Sequence, residues 1–229
     1  MPYKSVVAVG DSFTRGDELA DCPENNPKNY SNSTWPALLA QSMDTDYRAL
    51  ATGGIGNQCI SFKVNAYIRP NILFIINWTW FERFDYVDID TGGWKTTHPR
   101  HENKLDHYFY KNIDSDIWNL HKNLQQIHST IQMLRQHNIN FIMTCLDPTY
   151  TTRISDIRPE ENSFYNPRQW GAAIDRLHEQ VVPHILDFEG QTFLEWSHSN
   201  NFKCGPGGHP LEDAHAAAAD YLLKNKLHL

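Results

Sequence analysis

Residues 71–80, NILFIINWTW, run apolar and β-branched with little of the alternation that marks a half-exposed strand. A segment of this kind suits a strand covered on both faces, which means a sheet packed between layers of helix. VVAV at 6–9 and INFIMTCL at 139–146 read the same way, and 47–51 is a weaker strand ending at Thr52-Gly53-Gly54. Between these strands lie helical periods. Trp35, Leu38, Leu39 and Met43 follow the capping candidates Ser33 and Thr34, with Pro36 in the first turn. Ile117, Leu120, Leu124, Ile127, Ile131 and Leu134 recur every three or four residues. Trp170, Ile174, Leu177 and Val181 suggest another helix, and the alanine-rich stretch from Pro210 to Lys224 a last one. Strands alternating with helices predict an α/β chain with a parallel sheet. Sites in such sheets form at the carboxyl ends of the strands, where Ser12, Gly53-Gly54 and Asn77 to Trp80 would lie.

A chain of 229 residues suits a single domain over 1–229. Residues 81–114 interrupt the rhythm with an aromatic-rich excursion too long for an ordinary connection, expected to cover the active edge. Its histidines His98, His101 and His107 have no established zinc spacing and read as a solvated loop, so no metal and no organic cofactor is expected. Most of its aromatics read as packing, and Glu82 and Arg83 as either rim or surface charges. Four cysteines without a CxxC pair read as reduced thiols. A net charge of −7 with no basic run argues against nucleic acid, and no apolar run is long enough for a membrane span. The amino terminus lacks the apolar core of a signal peptide, so a cytoplasmic location is expected. Oligomeric state is not encoded in any motif here.

The chemistry centres on Gly10-Asp11-Ser12-x-Thr14-x-Gly16, directly after the first strand. A serine hydroxyl needs a base and oxyanion donors to become a nucleophile. His209, in Gly207-Gly208-His209-Pro210, is the best base, since Pro210 suits the first turn of the last helix. His215 reads as a helix-face histidine. Neither a Walker loop nor a GxGxxG fingerprint is present.

GDSxTxG, a Gly-Gly turn after the second strand and His-Pro before the last helix together resemble the SGNH (GDSL) hydrolases. The resemblance spans nearly the whole chain, on about a dozen residues. It implies a three-layer α/β/α sandwich with a flavodoxin-like parallel sheet, and hydrolysis of esters through an acyl-serine intermediate. It makes Ser12 the nucleophile and one oxyanion donor through its backbone N–H, His209 the base, and Gly54 the second donor, with Gly53 adjacent. The substrate it implies is a small-molecule or carbohydrate ester, such as an O-acetyl or short acyl group on a sugar.

Two departures stand out. The family's Gly-x-Asn-Asp block is missing, so the third oxyanion donor falls to Thr79, which aligns with the asparagine, or to Asn77, which keeps the chemistry at a shifted position. The carboxylate that usually precedes the histidine by three residues is replaced by Pro206, leaving Asp187, Glu195, Glu212 or a backbone carbonyl to orient His209. These gaps motivate an alternative reading, a non-catalytic binding or structural module that retains the fold. The Trp78-Thr79-x-x-x-Arg83 arrangement also looks like virus-encoded relatives, where the setting would be a virion.

Overall fold

The computed structural model describes residues 3–22, 29–99, 103–152 and 167–225. Four parallel strands form the sheet: β1 (Ser5–Val9), β2 (Asp46–Ala49), β3 (Ile72–Trp78) and β6 (Asn140–Cys145), in the order β2-β1-β3-β6. Ala8 pairs with Ala49 on one side and Ile75 on the other, and Ile75 with Ile142. Beyond β6, a parallel bridge from Met143 to Ile185 brings a fifth segment alongside. Counted through the sheet alone, the order is 2-1-3-4-5, the flavodoxin-like order.

All seven residues of β3 are buried, as its continuous apolar run requires. Alternate residues serve different layers. Val7, Val9, Phe74, Ile76 and Trp78 pack beneath α3 (Asn57–Ala66), α5 (Asp116–Gln136) and α6 (Pro167–Val181). Val6, Ala8, Leu73 and Ile75 face α2 (Trp35–Ser42), α7 (Phe193–Ser199) and α8 (Glu212–Asn225). The chain is therefore a three-layer α/β/α sandwich.

The strand bounds differ slightly from the sequence reading, for local reasons. Asn71 has φ 63, in the left-handed region, so the ladder opens only at Ile72. At the other end the Thr79 N–H donates to Asn57 Oδ1 (2.8 Å), turning the chain off the sheet before Thr79 and Trp80. Thr34 does sit at the N-cap of α2, but its hydroxyl pairs with the Tyr47 hydroxyl, and the first helical N–H, that of Trp35, donates to His215 Nδ1 (3.1 Å).

The described part of the excursion carries secondary structure of its own. It forms an antiparallel pair, β4 (Phe84–Val87) with β5 (Trp94–Thr97), followed by α4 (Lys104–Asn112). Phe84 stacks on Phe109 with ring centroids 4.7 Å apart. Asp85 fastens this unit to the sandwich: its carboxylate accepts the N–H groups of Gly56 and Cys59, both at 2.8 Å, and so caps α3. A β-carbon on Gly56 would lie 2.7 Å from Asp85 Oδ2, so the cap needs glycine there. α1 (Ser12–Arg15) is a single turn between β1 and the loop that follows.

Candidate active site

The GDSxTxG stretch is a tight strand-to-helix turn in which each small or polar residue has a geometric task. A β-carbon on Gly10 would fall 2.1 Å from Thr14 Oγ1, so the strand can approach α1 only without one. Asp11 caps the turn, its Oδ1 accepting the Phe13 N–H at 3.1 Å. Gly16 ends it with φ 82, and a β-carbon there would meet Ser31 and Thr34 at 2.5 and 2.7 Å. Ser12 is the first helical residue and is 8% exposed. Its N–H thus belongs to the donors at a helix N-terminus that have no partner within the helix.

Asp11 lies fully inside the protein, where an unpaired carboxylate would be costly. Its Oδ2 accepts the Thr79 hydroxyl at 2.9 Å and a guanidinium N–H of Arg83 at 3.0 Å. The same guanidinium nitrogen reaches Ile55 O (2.9 Å) and Thr79 Oγ1 (2.7 Å), and Arg83 lies over the Trp80 ring at 4.5 Å. Arg83 is therefore a buried structural cation, neither rim nor surface. Burial pushes the Asp11 carboxyl up, against the opposing pull of Arg83, the Thr79 hydroxyl and the Phe13 N–H.

The two candidates for a third oxyanion donor separate on this geometry. Thr79 already gives its proton to Asp11. Asn77 is buried in β3, and its Oδ1 accepts the Thr144 hydroxyl at 2.9 Å, which leaves its amide protons to donate elsewhere. Gly54 sits on the exposed turn after β2 with φ 74, a conformation suited to glycine, and Gly53 packs closer in, against Arg15 and Asp17.

His209 reaches the same edge from the far end of the sequence. Residues 204–210 form a closed turn, with Cys204 bridged to Pro210 and the Gly205 N–H donating to His209 O at 2.9 Å. The imidazole packs on Phe13, the residue after Ser12, with centroids 4.8 Å apart.

A carboxylate stands against His209, and it comes from none of the positions the sequence offered. Glu18 Oε2 is 2.7 Å from His209 Nδ1. The same carboxylate accepts the N–H groups of Gly207 (2.7 Å) and His209 (3.2 Å). Burial pushes the Glu18 carboxyl up, but these three hydrogen bonds outweigh it and hold the group below its ordinary value. The residues read as candidate partners work elsewhere: Glu195 completes the capping box of α7, Asp187 accepts the Gly190 N–H, and Glu212 accepts the Ala20 N–H. Pro206 is exposed. With Nδ1 engaged by Glu18, Nε2 is the nitrogen left to exchange a proton with a hydroxyl.

No protein-family model matches this chain, and no curated protein does. Solved structures similar to it include a lipolytic protein of the G-D-S-L family from Veillonella parvula DSM 2008, at 13% identity and TM-score 0.49, covering 98% of this chain and 99% of that one. An acetyl xylan esterase from the rumen bacterium Butyrivibrio proteoclasticus is similar at 13% identity and TM-score 0.46, over 97% of this chain and 64% of that one. The acetyl xylan esterase AlAXEase is similar at 12% identity and TM-score 0.49, over 97% and 100%.

The other histidines that the sequence singled out have different settings. His215 is buried, and His98 and His107 belong to the excursion; His101 lies outside the described residues. Among the described residues no group of three side chains could hold a metal ion, and no helix is long and apolar enough to cross a membrane. Cys22, Cys59, Cys145 and Cys204 are free thiols.

Proposed function

We propose that this chain is a serine ester hydrolase of the SGNH type. The observation that carries the reading is the contact of His209 with Phe13, the residue after Ser12, 196 positions away in sequence, with Nδ1 of the same imidazole held by a carboxylate. Ser12 Oγ attacks the ester carbonyl while His209 Nε2 takes its proton. The backbone N–H groups of Ser12 and Gly54 receive the developing oxyanion, with the Asn77 amide as the third donor in preference to Thr79. His209 then protonates the leaving alcohol, and water discharges the acyl-serine by the same path.

The substrate we infer is a short acyl group on a carbohydrate. Trp80, half-buried and edge-on to Phe13 at 5.8 Å, supplies an aromatic surface beside the site. The contact of Glu18 with His209 Nδ1 favours the catalytic reading over the non-catalytic alternative. Hydrolysis of p-nitrophenyl acetate and labelling by a fluorophosphonate test the proposal together. Ser12→Ala is expected to abolish both, and His209→Ala to lower both by at least 10³-fold. Labelling that persists in Ser12→Ala would remove Ser12 as the nucleophile.

A further inference from the structure

We propose that Glu18 is the carboxylate that positions His209, supplied from the nucleophile's own loop and not from the loop that carries the histidine. The inference deepens the hydrolase reading and rests on it. Three observations converge. Glu18 engages Nδ1, the nitrogen remote from an attacking hydroxyl, at 2.7 Å. It grips the backbone of the histidine loop through Gly207 and His209 at the same time. The loop is also shaped around it: a β-carbon on Gly205 would lie 2.6 Å from the Glu18 carboxyl carbon, and one on Gly207 3.1 Å from Oε2.

Glu18 itself holds φ 69, a conformation that a side chain with a β-carbon enters at a cost. The three hydrogen bonds offset that cost. Glu212 steadies the same segment from α8 by accepting the Ala20 N–H at 2.8 Å. The site thus gathers nucleophile and positioning carboxylate within seven residues, and a single separate loop brings the base. Pro206 can stand where the family keeps its carboxylate because the position has no task left.

The test uses the full chain and three variants, after wild type and Ser12→Ala have established Ser12-dependent hydrolysis. Glu18→Gln keeps an oxygen for the loop N–H groups but loses the charge that stabilises an imidazolium. It is expected to lower kcat by at least 10²-fold with KM nearly unchanged, and to move the acid limb of the rate profile to lower pH. Glu18→Ala is expected to lose more. Adding Pro206→Asp to Glu18→Ala restores a carboxylate three residues before His209 and should recover at least tenfold. Nitrogen-15 NMR of His209 provides a readout independent of turnover: the neutral ring carries its proton on Nδ1 in the wild type and shifts toward Nε2 protonation in Glu18→Ala. Ser12-dependent activity that survives Glu18→Gln, or an unchanged tautomer in Glu18→Ala, would overturn the assignment. Absence of Ser12-dependent hydrolysis together with the expected tautomer shift would instead overturn the hydrolase reading, leaving Glu18 a purely structural partner of His209.

Discussion

Two histidines six residues apart meet opposite requirements. His209 is partly exposed beside the Ser12 turn, whereas His215 is sealed in the core, its ring 4.9 Å from Phe193 and its Nδ1 accepting the first N–H of α2. A ring that accepts at Nδ1 and donates to the Pro210 carbonyl must be neutral. Burial, with a smaller push from His209, drives its pKa down to about 3, against the opposing bond to Pro210. An unfolded histidine titrates near about 6.5, so between these values the unfolded chain binds a proton that the folded chain refuses. Stability from this group is complete above that pH and falls as pH drops, by about 2 kcal/mol at pH 5. Urea unfolding at pH 7 and pH 5 measures the loss, and NMR titration assigns it. A His215 signal that moves near neutral pH would refute the account.

At the scale of elements, α3 is the helix that the sequence concealed. NQCISFKVNA has only a weak apolar stripe, and its burial depends on partners from elsewhere, namely α5 through the Ser61–Thr130 hydroxyl pair at 2.8 Å and Asp85 at its N-terminus. Asp85→Ala leaves two buried N–H groups without their acceptor and should cost about 1–3 kcal/mol. Hydrogen exchange at Gly56 and Cys59 should accelerate while β3 remains protected. Equal acceleration everywhere would mean that Asp85 contributes only to global stability. By contrast β1, β3, β6, α2, α5 and α6 were legible from their own apolar runs and spacing, α8 from its alanine content, and β2 as a weaker strand. The hairpin inside 81–114 was not, since its short strands alternate weakly and Asp85 is buried against the usual rule for a charge.

Across the whole molecule the same division recurs. Ser12 and His209 were legible as candidates because glycines and a His-Pro junction mark their turns locally, and Gly54 only through the family resemblance, while Glu18 was not, since nothing between residues 18 and 207 records that the two loops meet. Arg83 is another such long-range piece. It joins the end of β1 through Asp11, the approach to α3 through Ile55 and the end of β3 through Thr79, so one guanidinium ties together three of the segments from which the site is built. Removing it strands the Asp11 carboxylate in a buried setting. Arg83→Ala should therefore cost about 3–5 kcal/mol at pH 7. The buried acid would then take up a proton, so the deficit should shrink as pH falls toward 5. Asp11→Asn removes the charge itself, and combining it with Arg83→Ala should cost less than the sum of the two single changes. Strict additivity in that double-mutant cycle would show that the pair carries no coupling, and that the site edge is held by packing alone.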